Sequence, residues 1–223
     1  MEATIRVCAT KADLMKRISN YPNLTAEVYG TGKDFIVKFT NIEERYVDDV
    51  MEDFSDIFYG DEDKNLSATL VELLYDRGLT LATAESCTGG MIASSIVDIS
   101  GCSDVFHEGV VTYSNLSKMD RLGVNEDTLI DFGAVSKETA CEMAKGLISD
   151  NVSVGVSTTG IAGPGGGSIE KPVGLVYIAI ASIKGVDVYK CLFDGDRKDI
   201  RTKAKDTALF YAIKHIQKNY NLY

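Results

Sequence analysis

Ser86 is a side chain that could act as a nucleophile held in a fixed position. It follows an apolar, threonine-rich run at residues 79–84 and precedes Gly89, Gly90 and apolar residues at helical spacing. This order predicts a buried strand that turns into a helix, with the hydroxyl at the turn. The N–H groups at the start of that helix would favour an anion beside it. A serine that only caps the helix would give the same pattern, so this stretch leaves both interpretations open.

Lys118 could supply the base that a serine nucleophile needs. It lies just beyond a second predicted strand at residues 109–113, which ends at Tyr113. Burial can keep a lysine amine neutral, and a neutral amine can accept the hydroxyl proton of Ser86. A lysine taken by itself is usually solvated, so its position alone does not establish this role.

Cys87 is the alternative nucleophile at the same turn. A reactive cysteine usually needs a histidine or an electropositive environment, and His107 and His215 are the two histidines of the sequence. His107 comes shortly before the second predicted strand, so it stays open as a partner. We interpret Cys87 as a buried spacer.

A glycine-rich stretch at residues 159–167 follows a third predicted strand at 152–157. It matches neither a Walker A motif nor G-x-G-x-x-G between a strand and a helix. Its backbone could approach a phosphate or a planar ring closely, and an ordinary surface loop is the alternative. Open α/β sheets bind ligands beyond the carboxyl ends of their strands. We therefore expect this loop, the turn 85–90 and the segment 113–118 to form one site.

The predicted elements form two units separated by a charged run at residues 60–64. Residues 1–60 are predicted as a small α+β unit of order β-α-β-β-α, with strands and helices at 4–8, 11–19, 24–29, 35–39 and 43–58. Residues 61–223 are predicted as a layered α/β/α domain with a mixed sheet. Its further strands lie at 173–182 and 186–193, and its helices at 66–77, 91–97, 137–147 and 200–220.

The composition restricts the classes of partner and site. A net charge of −10 argues against a surface that binds nucleic-acid phosphates. No apolar run reaches membrane-spanning length and no signal-peptide pattern opens the sequence, so we expect no membrane partner and a cytoplasmic protein. The 5 cysteines and 2 histidines are scattered without metal-ligand spacing, so we expect reduced thiols and neither a metal nor another cofactor.

Five motifs occur in an order and spacing that resemble the CinA C-terminal domain family. They are Ala84–Gly90, Gly109–Lys118, Gly133–Ser136, Thr159–Gly167 and Lys171–Gly174. The resemblance extends over about residues 62–218. Residues 1–60 resemble the small middle domain of longer CinA proteins. Those proteins also carry a molybdopterin-binding-like domain that this sequence lacks, so we expect no pyrophosphatase activity that such a domain would confer.

The resemblance implies a function. Members of the family include nicotinamide mononucleotide deamidases, which hydrolyse the carboxamide to give nicotinic acid mononucleotide and ammonia. The serine, tyrosine and lysine of the family correspond to Ser86, Tyr113 and Lys118, with Tyr113 expected to orient the lysine or relay its proton. The alternative is a non-catalytic nucleotide-binding accessory or regulatory protein, as the competence- and damage-inducible naming of the family suggests.

The expected substrate-binding residues lie on the turn after the first strand, on the glycine-rich loop and on the closing helix. They are Glu85, Cys87, Thr88, Gly89, Gly90, Thr159, Gly160, Gly163, Pro164, Arg197 and Arg201. The N–H groups of residues 87–90 could hold the oxyanion, and the loop and the arginines are candidates for the phosphate, but the sequence leaves open which loop holds which group. The two arginines are four residues apart and can share a helix face, with a solvated face or a subunit contact as the alternative. Beyond the nucleotide, we expect further copies of the chain as partners, in a homo-oligomer.

Overall fold

The computed structural model describes residues 2–21, 24–40, 42, 47–60 and 64–220, and these form two β-sheets. The smaller sheet has the strand order β2-β3-β1-β4, with antiparallel neighbours. Its elements are β1 (Ala3–Cys8), α1 (Lys11–Ser19), β2 (Thr25–Thr31), β3 (Asp34–Thr40), α2 (Val47–Phe54) and β4 (Phe58–Gly60). The first helix is confirmed at both ends, and the predicted hairpin is present as β2 and β3.

The end of the predicted helix 43–58 is wrong. In the structure, α2 ends at Phe54 and β4 begins at Phe58, while residues 43–46 lie outside the described residues. The chain leaves α2 in a turn closed by the Ile57 N–H on the Phe54 carbonyl, and Phe58 then pairs with Val7 of β1. Pairing with β1 therefore overrides a helical spacing of apolar residues that continued through the turn.

The larger sheet is mixed and has the strand order β6-β5-β7-β8-β9. Its strands are β5 (Leu81–Glu85), β6 (Phe106–Val111), β7 (Val154–Gly160), β8 (Leu175–Ser182) and β9 (Gly185–Leu192). The helices are α3 (Leu66–Arg77), α4 (Met91–Val97), α5 (Asn115–Leu122), α6 (Glu126–Asp131), α7 (Lys137–Lys145) and α8 (Arg197–Asn219). One apolar core joins α3, α4 and α8 to one face of the sheet, and smaller clusters join α5, α6 and α7 to the other. These three layers confirm the predicted fold class.

The strand register places three loops at one edge of the larger sheet. Strands β5, β6 and β7 are parallel, and Glu85 at the end of β5 lies opposite Val111 of β6 and Thr158 of β7. Their carboxyl ends therefore meet, which is the arrangement expected for the turn 85–90, the segment 113–118 and the loop 159–167.

Local signals fix the helices that carry this edge. Helices α3 and α4 have the predicted bounds, and Asn65 and Gly78 cap α3. Helix α8 starts at Arg197, three residues before the predicted start, because Asp196 and Asp199 form a reciprocal capping box. Helices α5 and α6 were not predicted. Within the described residues, no helix has the length and apolar character needed to cross a membrane.

The turn between β2 and β3 contacts the larger unit. The Lys33 N–H donates to the buried Asp206 carboxylate of α8 at 2.9 Å. Asp34 accepts from the Leu66 N–H at the start of α3 at 3.2 Å. Cys8 and Tyr59 belong to the same buried cluster as α3 and α8. The smaller sheet is thus packed on these two helices through both apolar and polar contacts.

Gly32→Ala should destabilise the protein more than Gly123→Ala. Both glycines have a φ of 65°, so both variants incur a left-handed backbone cost of roughly 1–2 kcal/mol. A Cβ at Gly32 would collide with the Asp206 carboxylate, whereas a Cβ at Gly123 meets nothing within 4 Å. Chemical denaturation should give a free energy of unfolding lower for Gly32→Ala by at least about 1 kcal/mol, because the buried Asp206 contact is displaced. Equal losses in the two variants would contradict this account of the packing.

Candidate active site

Ser86 follows β5 directly, and its backbone is fixed by the neighbouring strand. The Ser86 N–H donates to the Thr158 carbonyl of β7 at 3.0 Å. Gly89 and Gly90 take positive φ values of 61° and 91° and turn the chain into α4. Gly90 is the N-cap of that helix, without a side-chain cap hydrogen bond. Ser86 is therefore not the cap, and its hydroxyl is available at the turn.

Glu85 occupies the start of α4 that could have held a bound anion. Its carboxylate accepts hydrogen bonds from the N–H groups of Gly90, Ile92 and Ala93 at 2.9, 3.2 and 2.8 Å. The side chain is 1% exposed. The buried Glu85 carboxylate therefore stabilises the start of α4 and does not face a ligand, contrary to the expected binding role.

Lys118 lies one turn into α5 and reaches the Ser86 hydroxyl. Its Nζ is 3.2 Å from Ser86 Oγ and donates to the Thr112 carbonyl at 2.8 Å. Lys118 is 1% exposed and Ser86 9%. Burial lowers the pKa of Lys118 below the ordinary 10.5. In the part of the chain that the structure describes, no carboxylate forms a salt bridge with Lys118.

Neither histidine is a partner of Cys87, the other candidate nucleophile at the turn. Cys87 is buried, and its pKa is raised to about 12, chiefly by that burial, so it is held as a thiol. His107 is exposed near the amino-terminal end of β6, at the opposite edge of the sheet. His215 is hydrogen-bonded to Ser182 and Asp187 in the order of a catalytic triad. Ser182 pairs with the first residue of β7, so this group also lies at the edge away from Ser86.

Tyr113 does not have the position expected of a residue that orients the lysine. It is 62% exposed, and its Oη is hydrogen-bonded to Nη2 of Arg197 at 3.2 Å. The group that holds Lys118 in place is instead the carbonyl of Thr112. A backbone carbonyl carries no side-chain signal, so the sequence could not identify it.

Two adjoining clefts lie beside the nucleophile turn. The smaller has a volume of about 220 Å³ and is lined by Cys87, Tyr113, Arg197 and the loop from Gly160 to Gly166. The larger, about 480 Å³, is lined by Pro164, Val173, Arg197, Lys198 and Arg201 among others. Ala162, Gly163 and Arg197 belong to both. The combined volume is in the range of small-molecule sites.

The cationic side chains of α8 contribute differently to these clefts. Arg197 is exposed and donates to the Gly163 carbonyl at 2.7 Å. Arg201 is half-buried and donates to the carbonyls of Cys87 and Thr88. Lys198, which the sequence did not single out, lines the larger cleft beside them. Since Asp196 already caps the helix, an anion here would bind through the side chains and not through the helix terminus.

Two further residues expected to bind substrate have structural contacts instead. The Thr88 hydroxyl is 2.7 Å from that of Thr158, and Thr88 is fully buried. The Thr159 hydroxyl donates to the Ala134 carbonyl at 2.6 Å and is directed to the opposite face of the sheet. Among the residues described, no group of three or more His, Cys, Asp or Glu side chains could hold a metal ion.

Lys118→Met should change how stability depends on pH. The pKa of Lys118 is lower in the folded chain than in the unfolded chain. At pH values between the folded pKa and about 10.4, the unfolded chain therefore holds a proton on Lys118 that the folded chain does not. The stability of the wild type should therefore rise with pH across this window, and the variant should not show this rise. Chemical denaturation at pH 7 to 10 should show that the free energy of unfolding of Lys118→Met falls relative to that of the wild type as pH increases. The same substitution at the exposed Lys145 is the control, and a pH-independent difference for Lys118→Met would contradict the depressed pKa.

Comparisons with known proteins agree with this architecture. The model of the CinA C-terminal domain matches residues 63–216. A CinA-like protein of Kosmotoga olearia is 49% identical over 161 residues, which are 72% of this chain and 39% of that protein. A Clostridium perfringens relative is 43% identical over 210 residues, 94% of this chain and 50% of its own length. The chain thus spans half or less of the length of these curated relatives.

Two solved structures have the same fold over about two thirds of this chain. The competence/damage inducible protein CihA from Agrobacterium tumefaciens is 45% identical, with a TM-score of 0.65 over 67% of this chain and 92% of that one. The CinA superfamily protein from Escherichia coli is 32% identical, with a TM-score of 0.64 over 68% of this chain and 88% of that one. The chain belongs to the CinA C-terminal domain family.

Proposed function

We propose that the protein is an amidohydrolase in which Ser86 is the nucleophile and Lys118 is its general base. The contact between Lys118 Nζ and Ser86 Oγ carries this proposal, because both groups are buried and the amine has no acidic partner among the described residues. A hydroxyl next to a lysine whose pKa is depressed can lose its proton during attack. A purely nucleotide-binding protein would have no use for this arrangement.

In each half of the reaction, Lys118 takes up one proton and then returns it. Neutral Lys118 takes the hydroxyl proton as Ser86 Oγ forms a bond to the carboxamide carbon. The tetrahedral intermediate then breaks its C–N bond, and the lysine returns the proton to the leaving nitrogen, which departs as ammonia. Water then attacks the acyl ester and gives a proton to Lys118, and the lysine returns this proton to Ser86 Oγ as the ester C–O bond breaks. Ser86 is free again, and the acid product leaves as a carboxylate after it releases its own proton to solvent.

Backbone N–H groups after Ser86 are the proposed oxyanion donors. The N–H groups of Gly90, Ile92 and Ala93 are bound to Glu85, and that of Met91 to the Thr88 carbonyl, so the donors must come from residues 87–89. Removal of a single oxyanion donor typically costs about 3–4 kcal/mol of transition-state stabilisation. The turn can therefore account for a large part of the rate.

Nicotinamide mononucleotide is the substrate we propose. Its carboxamide would reach Ser86 while the pyridine ring lies in the smaller cleft against Tyr113. Its phosphate would extend into the larger cleft, where Arg197 and Lys198 supply positive charge in an otherwise acidic protein. The family includes deamidases of this nucleotide, and the larger cleft, which has Arg197 and Lys198 in its lining and adjoins the cleft at Cys87, supports the same choice here.

Ser86→Ala should reduce ammonia release from nicotinamide mononucleotide by on the order of 10³-fold or more. Cys87→Ala should retain most of the activity, because its thiol is buried and protonated. A coupled ammonia assay on both variants, with a chelator present throughout, measures this. Turnover by Ser86→Ala at the wild-type rate would contradict the mechanism. Nucleotide binding by the wild type without turnover would favour the accessory function instead.

The pH profile should show that the base is Lys118. The rate should fall along a single acidic limb as the lysine becomes protonated, since the protonated amine cannot accept a proton. Tyr113→Phe should keep this limb and raise KM, because it removes only the hydrogen bond to Arg197. Lys118→Met should remain folded and lose the reaction. Near-normal turnover by Lys118→Met with the same acidic limb would assign the base to another group.

A further inference from the structure

Arg201 binds the backbone of the nucleophile turn with two nitrogen atoms. Its Nε donates to the Cys87 carbonyl at 3.0 Å and its Nη2 to the Thr88 carbonyl at 2.8 Å. These are the first two carbonyls after Ser86. The planar guanidinium presents its donors in a fixed geometry, so it holds both carbonyls in one orientation.

The orientation of a carbonyl also fixes the N–H group that follows it. In a planar trans peptide, C=O and the next N–H point in opposite directions. By holding the Cys87 and Thr88 carbonyls toward α8, Arg201 directs the N–H groups of Thr88 and Gly89 away from α8. In the described part of the chain, neither the Thr88 N–H nor the Gly89 N–H donates to a backbone carbonyl, and the Thr88 N–H lies near enough to the Cys87 sulfur to lower the pKa of that thiol.

The positive charge also strengthens these donors. A cation at a peptide oxygen polarises the amide, and a polarised amide donates a stronger hydrogen bond. Glu85 binds the N–H groups on the helical side of the same turn. Arg201 therefore holds the turn by its carbonyls and Glu85 by its amides, leaving the N–H groups of Thr88 and Gly89 between them.

We propose that Arg201 is a positioning residue that orients the oxyanion-binding N–H groups of Thr88 and Gly89, and that it is not a phosphate ligand. The proposal rests on the amidohydrolase function above. Arg197 differs, because it is exposed on the cleft wall and bonded to the loop and to Tyr113. Arg197 is therefore the arginine assigned to the phosphate.

Substrates with and without a phosphate distinguish the two roles. Arg201→Lys keeps the charge but cannot hold both carbonyls, so it should lower kcat by a similar factor, about 10- to 100-fold, for nicotinamide mononucleotide and nicotinamide riboside. Arg197→Lys should instead raise KM for the mononucleotide selectively. If Arg201→Lys only raised KM for the mononucleotide and left kcat unchanged, Arg201 would be a phosphate ligand and the proposal would be overturned.

A second measurement does not depend on the physiological substrate. With an alkyl fluorophosphonate, Ser86 Oγ bonds to phosphorus, fluoride leaves, and the hydroxyl proton goes to Lys118; the phosphoryl oxygen then occupies the oxyanion position. The fluorophosphonate should label Ser86 more slowly in Arg201→Lys than in the wild type, by a factor comparable to the loss in kcat. Added guanidinium ion should partly restore the labelling rate of Arg201→Ala. The control is Arg77→Lys, because Arg77 also donates to a backbone carbonyl, that of Tyr220, remote from the cleft.

The outcomes separate this proposal from the proposed function. Labelling of Ser86 in the wild type, slowed in Arg201→Lys, without ammonia release from any carboxamide would refute the amidohydrolase and leave the role of Arg201 standing. Labelling of a folded Arg201→Lys at the wild-type rate would refute the role of Arg201. Far-UV circular dichroism and the thermal midpoint establish that each variant is folded.

Discussion

The structure depends on a lysine amine that is buried beside a hydroxyl and has no carboxylate partner among the described residues. Burial penalises the charged amine, so the fold lowers the pKa of Lys118 below that of an ordinary lysine. Within the part of the chain that the structure describes, the amine is hydrogen-bonded to Ser86 Oγ and to the Thr112 carbonyl. A neutral amine can satisfy both, since it donates one N–H to the carbonyl and turns its lone pair to the hydroxyl.

The rest of the edge serves to keep this pair in place. Parallel strands β5 and β6 deliver the two segments side by side, and the first turn of α5 brings Lys118 back over the end of β6. The turn after Ser86 is then held by charges of opposite sign, Glu85 on its amides and Arg201 on its carbonyls. Because α8 contributes Arg201, the packing of that helix is part of the geometry of the site.

The sequence predicted the parts of the site that depend on strand and helix patterns. The buried strand before Ser86, the shared edge of three loops and the placement of Lys118 next to the second strand all follow from apolar runs and turn residues. The direction of the side chains at the strand ends could not be predicted from these patterns. Glu85, Thr88 and Thr159 belong to matching motifs, yet their side chains contact backbone or a neighbouring strand and not the cleft.

The missed features have physical reasons. Helix α5 is short and mostly polar, and only tertiary packing of Lys118 and Leu122 marks its inner face. The contact of Tyr113 with Arg197 joins residues 84 positions apart, and the role of Thr112 lies in its carbonyl. Strand β4 has three residues and follows a helical spacing that does not stop before it. Long-range contacts decided the helix, the Tyr113 contact and the strand, and no local pattern carries that information.

The protonation state of Lys118 is the property that tests the account most directly. Selectively labelled lysine side chains can be titrated by NMR, with Lys118→Met identifying the signal that belongs to this residue. The account predicts that the Lys118 amine titrates with a pKa below the 10.5 of an ordinary lysine and that the same pKa governs the acidic limb of the reaction. A Lys118 amine that titrates at or above 10.5 would contradict it, because a permanently charged lysine cannot accept the proton of Ser86.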